Sequence, residues 1–177
     1  MSFITLSDLH YISREQLASD FKSNDSALPP NTAIIDVRDS DHIGGHIKGS
    51  TWIPSSQLDY KVPELVRELK GKEVVVFHCA LSQQRGPSAA LRYLREKGRL
   101  DPRSSTVSKG ELHEEGVGGK AGEKEDEDEG GKGRDDRGQK VYVLKGGFTE
   151  WQEKYGQDNN LTEAYSKDIW EFGTQDY

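Results

Sequence analysis

The chain has 177 residues, a formal net charge of −7, 32% hydrophobic residues and a mean hydropathy of −0.84. That length suits one domain with a real core, and the low apolar content implies that part of the chain stays outside it. A single cysteine excludes an intramolecular disulfide framework and a cysteine-built structural zinc site. No apolar run approaches membrane-spanning length, and Met1 to Gln16 lacks the basic and apolar regions of a signal peptide. The expected setting is a reducing compartment, cytoplasm or nucleus, where a free thiol survives.

In chain order, a short strand is expected around Tyr11-Ile12. Ser13-Arg14-Glu15-Gln16 reads as a capping box, with Ser13 at the N-cap and Gln16 at N3, opening a helix that buries Leu17, Ala18 and Phe21. Ser23 to Asn31, with two prolines, is a loop. Ala33 to Arg38 reads as a second, buried strand. Asp36 and Arg38 form a structural ion pair at its end, and His46, in the glycine-rich run that follows, is a hydrogen-bonded structural histidine. Thr51-Trp52-Ile53 is a third strand, ended by Pro54. Pro63 opens a helix that buries Leu65, Val66 and Leu69 and stops at Gly71.

Val74 to Phe77 are β-branched or aromatic and fit a short strand buried on both faces. A loop follows, and then a helix in which Pro87, Ala90, Leu91 and Leu94 share a face at i, i+3, i+4 and i+7, with Gly98 closing it. Residues 99–140 are dominated by glycine and charge. Between Glu111 and Gln139 stand eleven acidic and five basic side chains, so this stretch carries −6 of the net −7. It reads as a disordered insertion, a solvated spacer or else an interaction arm. Leaving a helix C-terminus and entering a strand N-terminus, it should emerge opposite the strand C-termini and away from the site. The rest of the chain is nearly neutral, and nothing argues for binding nucleic acid or membrane. Val141 to Leu144 supply a last strand, and a Gly146-Gly147 turn leads into a helix that packs Phe148 and Trp151 on the sheet. In the tail, residues 157–177, Leu161, Tyr165 and Ile169 are spaced four apart and predict a docked helical face, with a partner-binding tail as the alternative.

The chemistry concentrates between Cys79 and Arg85. A loop feeding a helix N-terminus can turn several backbone N–H groups toward one point, and the helix dipole adds positive potential there. A cysteine at the start of such a loop is expected to be largely thiolate at neutral pH, which is its nucleophilic form. Arginine presents a planar fork that binds two oxygens of a tetrahedral oxyanion, a geometry lysine does not reproduce. Together they predict a cradle for phosphate or arsenate with a nucleophile at its floor.

His78-Cys79-x5-Arg85-Gly86-Pro87 resembles the active-site loop of rhodanese-fold phosphatases of the cell-division-cycle dual-specificity class, and of the related fungal and plant arsenate reductases. Asp36-Val37-Arg38, Gly45-His46-Ile47-x-Gly49 and Lys145-Gly146-Gly147-Phe148-x-x-Trp151 resemble other rhodanese segments. Sulfur-transferring rhodaneses typically have a loop one residue shorter. The resemblance implies an α/β fold with a central parallel sheet and helices on both faces, spanning residues 1–156 apart from the insertion. It also implies Cys79 as nucleophile and Arg85 as clamp, with the loop positions Ala80, Leu81, Ser82, Gln83, Gln84 and Gly86 binding the oxyanion and Ser82 aiding the sulfur. A phosphatase would act through a cysteinyl-phosphate on a phosphorylated protein. An arsenate reductase would take a small oxyanion and draw electrons from glutathione and glutaredoxin. A non-catalytic phosphate-binding module needs Arg85 and not Cys79. No metal or organic cofactor is implied. One departure stands out: the cell-cycle phosphatases carry glutamate just before the loop arginine, and here the residue is Gln84, which cannot act as a general acid.

Overall fold

The computed structural model describes residues 4–100 and 138–172. The strands are β1 (His10–Ile12), β2 (Thr32–Asp36), β3 (His46–Ile47), β4 (Thr51–Trp52), β5 (Val74–His78), β6 (Lys140–Leu144) and β7 (Thr162–Glu163). Five of them form a parallel sheet in the order β1-β6-β5-β2-β4, while β3 and β7 pair antiparallel in a small second sheet. The helices are α1 (Arg14–Lys22), α2 (Leu58–Glu68), α3 (Arg85–Leu100), α4 (Gly147–Tyr155) and α5 (Lys167–Phe172).

The central strand is β5, in register with β2 from Thr32↔Val74 to Asp36↔His78 and flanked on its other edge by β6. Its side chains alternate between two cores. Val75 and Phe77 join Leu58, Val62, Leu65, Tyr93 and Leu94, the face covered by α2 and α3. Val76 joins Leu17, Phe21, Phe148 and Trp151, the face covered by α1 and α4. Helices therefore pack on both faces, and the uninterrupted apolar run of β5 is the sequence trace of that double burial. Because all five strands run parallel, the loops after β2 and β5 leave the same edge of the sheet, where sites in such folds are built.

Several local expectations are corrected. Ser13 caps α1, its Oγ accepting from the Gln16 N–H at 3.0 Å, but the Gln16 side chain turns to Asp20 (3.2 Å), so the reciprocal half of the box is missing. Helix α2 begins at Leu58, and Pro63 lies inside it. Leu58, Val62, Leu65 and Val66 occupy one buried stripe, and burying it outweighs the hydrogen bond the proline removes. Gly98 does not end α3, which continues to Leu100.

The expected insertion spans 99–140, yet Arg99 and Leu100 are helical, Lys140 starts β6, and Gln139 is 2% exposed. Gln139 accepts from the Tyr93 hydroxyl (2.8 Å) and donates to the carbonyls of Leu69 and Lys72, which ties the chain down as it re-enters the sheet. The expected disorder of the remainder falls on residues 101–137, outside the described residues.

The tail is not one helix. Leu161 is fully buried, Thr162–Glu163 adds to β3, Ala164 takes a left-handed φ of 57°, and among the described tail residues only Lys167–Phe172 is helical. Trp170 docks this segment by donating its Nε1–H to the Gly44 carbonyl at 2.9 Å. The spacing of four reflected burial in a folded-back strand and turn rather than a helical face.

Candidate active site

Cys79 directly follows β5, and α3 begins six residues later at Arg85, so strand, loop and helix are as the sequence implies. The cysteine is 3% exposed and reduced. Two backbone N–H groups converge on its sulfur: Ser82 at 3.2 Å and Gly86 at 3.3 Å. These are bonds that an anionic sulfur accepts more readily than a thiol.

To aim its N–H inward, Ser82 adopts φ +56°, in the left-handed region that an ordinary side chain disfavours. Its Oγ in turn accepts from the Cys79 N–H at 3.4 Å. Gly86 eases the close approach of α3, since a Cβ there would stand in tight contact, 3.3 Å from the His78 Cα and 3.4 Å from the Cys79 nitrogen. Of the other expected oxyanion-binding positions, Ala80 is buried, Leu81 is half-buried, and Gln83 and Gln84 are exposed. No hydrogen bond within the described residues uses the N–H of Ala80, Leu81, Gln83 or Gln84, so four donors remain available in this short loop.

The start of the loop is fixed from a third direction. The Phe148 N–H donates to the Cys79 carbonyl (3.0 Å) and the Thr149 N–H to the Ala80 carbonyl (2.9 Å), so the N-terminal donors of α4 bind the catalytic loop. The Gly146-Gly147 turn permits this, with φ of 79° and 59°. A Cβ on Gly147 would overlap the carbonyls of Cys79 and Ala80, at 2.6 and 2.4 Å.

The Arg85 guanidinium is gripped by two carboxylates. Its Nη1 and Nη2 donate to the two carboxylate oxygens of Asp41 at 2.8 and 2.6 Å, and Nη1 also approaches Asp39 at 3.3 Å. Hydrogen bonding to Arg85 holds Asp41 below the usual carboxylate range. Burial works against the charge on Asp39, but Ser55, Ser56 and Arg85 outweigh it, so its pKa too is lowered. Beside the loop lies a cleft of about 300 Å³ lined by Ser55, Leu58, Gln84, Arg85, Ser88 and Arg92 among others. Arg92 pairs with Asp59 at its rim.

Beneath the loop lies a buried polar layer. Asp36 and Arg38 are paired at 2.7 Å with side chains essentially out of solvent, as expected for a structural pair. The Arg38 guanidinium also donates to the Gly45 carbonyl (2.9 Å) and stacks 4.4 Å from the Phe148 ring centre. His78 is wholly buried: one ring nitrogen bonds the Cys79 carbonyl (3.1 Å) and the other faces Asp36 at 3.8 Å. Burial pushes the His78 pKa down and keeps the ring neutral. Nδ1 must then carry the proton to donate to the carbonyl. Burial also opposes the charge on Asp36, but the Arg38 guanidinium, with its hydrogen bonds and charge, outweighs it and holds the carboxyl below its ordinary value. With His78 neutral, Arg38 is the partner that keeps Asp36 ionised. His46 bonds Glu163 at 3.0 Å across the β3–β7 ladder, well outside the loop.

The structure thus brings Cys79, Ser82, Arg85 and Gly86 together. It adds Asp39 and Asp41, which sequence reasoning missed, and sets Gly147, read from the sequence only as part of a turn, against the loop carbonyls. Asp39 and Asp41 carried one legible sign, two acids just after a strand that ends in Asp-Val-Arg, but no periodicity links them to an arginine more than forty residues away.

A rhodanese-like domain model matches residues 13–154. A yeast (Saccharomyces cerevisiae) CDC25-like phosphatase is 36% identical over 148 residues, covering 77% of this chain and 76% of its own. A rice (Oryza sativa) arsenate reductase is 44% identical over 85 residues, covering 48% of this chain and 61% of that enzyme. Among solved structures, a yeast protein tyrosine phosphatase of the rhodanese family superposes with a TM-score of 0.61 at 30% identity, covering 94% of this chain and 99% of that one. The parallel sheet, the loop at its C-terminal edge and the family match over most of the chain agree: the chain belongs to the rhodanese-like domain family.

Proposed function

We propose that the chain is a cysteine-based phosphatase that acts through a cysteinyl-phosphate. The observation that carries this reading is the convergence of the Ser82 and Gly86 N–H groups on the Cys79 sulfur, at 3.2 and 3.3 Å, inside a loop that ends at Arg85. The Cys79 thiolate attacks phosphorus in line with the ester oxygen, the S–P bond forms as the P–O bond breaks, and the leaving group departs as its oxyanion, which takes a proton from water. Arg85 and the unbonded loop amides carry the charge of the equatorial oxygens. Water then hydrolyses the thiophosphate and returns the thiolate.

The loop holds no carboxylic acid. Asp39 and Asp41, the carboxylates bonded to Arg85, are held ionised there. Nothing here protonates a poor leaving group, which favours aryl phosphates over alkyl ones as substrates. The same lack favours a second reading, arsenate reduction, where the leaving group is hydroxide. There Cys79 would bond arsenic and a glutathione thiol would attack the adduct. Arsenic would pass from V to III as Cys79 and glutathione form a mixed disulfide, which glutaredoxin with a second glutathione resolves.

The test offers the purified chain an aryl phosphate, arsenate with glutathione and glutaredoxin, and thiosulfate with cyanide, side by side. Phosphate release that disappears in Cys79→Ser, which still binds phosphate, is expected. Phosphate release that persists in Cys79→Ser removes Cys79 as the nucleophile. Binding without turnover in either protein makes this a phosphate-binding module. Thiol-dependent arsenite without phosphate release selects the reductase.

A further inference from the structure

The contacts of Arg85 are unevenly distributed over its five N–H bonds. Asp41 accepts one from each terminal nitrogen, at 2.8 and 2.6 Å, and Asp39 approaches Nη1 at 3.3 Å. Both protons of Nη1 are therefore engaged. Nε–H and the second proton of Nη2 take part in no hydrogen bond with the described residues. These two point the same way along the neighbouring edge of the guanidinium, with the spacing that accepts two oxygens of one tetrahedral anion.

The carboxylates that grip the outer edge are themselves held. Asp41 accepts from the Asp39 N–H at 2.9 Å, and Asp39 accepts from the Ser55 hydroxyl at 2.5 Å and the Ser56 N–H at 3.0 Å. A chain of bonds thus runs from the turn before α2, through Asp39 and Asp41, to Arg85. Two carboxylates beside an anion site repel the anion, so their presence needs a compensating role. The loop supplies no carboxylate of its own, since Ala80, Leu81, Ser82, Gln83 and Gln84 separate Cys79 from Arg85.

We infer that Asp41, held by Asp39 and Ser55, is the positioning residue of this site: it grips one edge of the Arg85 guanidinium so that the Nε/Nη2 edge is presented to the oxyanion at Cys79. This rests on the proposed reading of the Cys79 loop as an oxyanion site. Asp41 touches neither sulfur nor substrate and donates no proton. It converts a flexible side chain, which would lose rotamer freedom on each binding event, into a pre-set fork. The alternative role is a latch, in which Asp41 competes with the anion for Arg85, and the two roles predict opposite signs.

The experiment compares wild type, Asp41→Asn, Arg85→Ala and the double variant, reading kcat and KM on an aryl phosphate and, separately, the affinity for inorganic phosphate by calorimetry. The expected result is a fall of about 10–100-fold in kcat/KM for Asp41→Asn, with phosphate affinity weakened in parallel. In the Arg85→Ala background Asp41→Asn should change either quantity by less than about twofold, because a residue that acts through Arg85 has nothing left to position. Tighter phosphate binding in Asp41→Asn establishes the latch and overturns the proposal, as does unchanged affinity or an undiminished penalty without Arg85. Ser55→Ala leaves both carboxylates in place and loosens only their anchor. It should lower phosphate affinity by a few-fold, and it decides the matter should Asp41→Asn not fold. If wild type turns over no ester, the catalytic reading fails while the phosphate titrations still decide the role of Asp41.

Discussion

Asp36 and His78 face each other at 3.8 Å in a layer with no solvent, one charged and one neutral, and each depends on pH in the same sense. The folded-state pKa of Asp36, about 2, lies below its ordinary 3.8. The unfolded chain therefore takes up this proton first, and stability present above pH 4 is lost as pH falls toward 2. His78 and the part-exposed His42, which stacks on Trp52 at 4.2 Å, are also lowered, chiefly by burial. For them the unfolded chain begins to bind protons below about pH 6.5 while the folded chain does not. The melting temperature should accordingly be flat above pH 7, fall between pH 6.5 and 5, and fall further below pH 4. His78→Gln, less stable at pH 7, should flatten the upper limb because one of its two histidines is gone. A melting temperature unchanged from pH 7 to pH 5 would show that these rings do protonate in the folded protein.

At the level of elements, the loop is held between two helix starts, α3 following it and α4 donating to it from the side. Gly147 is the hinge of the second, with φ +59° and room for no Cβ against the Cys79 and Ala80 carbonyls. Gly147→Ala should therefore cost about 1–3 kcal/mol in stability and about 10-fold or more in kcat/KM as the loop is displaced. Gly71→Ala, at a site with open space around it, should alter neither. Equal activity in both variants would mean that the α4 contact does not set the loop geometry. How far such features could be read beforehand follows from how local they are. The double burial of β5, the cap at Ser13 and the glycine turn before Phe148 are written in adjacent residues, and each appears where its pattern stands. The start of α2 was misplaced because proline is a local signal, whereas the stripe from Leu58 to Val66 gains its energy from the sheet it covers. The β3–β7 ladder joins His46 to Glu163, and the Asp41–Arg85 pair joins residues 44 apart. Neither has a periodic trace, because each joins segments distant in sequence that the fold alone brings together.

Over the whole molecule, the site and the point where the chain re-enters the sheet after the acidic segment lie at opposite ends of β5. Cys79 follows the C-terminal end of β5, whereas the described chain resumes at Gly138 and pairs Lys140 with Val74, the first residue of that strand. Leu100 and Gly138 are separated by 37 residues whose structure lies outside the described part. Both ends of that segment are anchored in the core's own bonds, by Tyr93 within α3 and by Gln139 just before β6. Replacing residues 101–137 by an eight-residue Gly/Ser linker, which reaches up to about 26 Å, should thus keep the fold. Shortening the loop reduces the entropy lost on closing it, so stability should rise by about 1 kcal/mol. Turnover of an aryl phosphate should stay within about twofold at physiological salt, where screening limits the reach of the segment's charge to about 8 Å. Chemical denaturation and steady-state kinetics on the two chains measure both. A tenfold loss of kcat/KM with cooperative unfolding intact would show that the segment reaches round to the site, and a loss of cooperativity would show that it packs against the body.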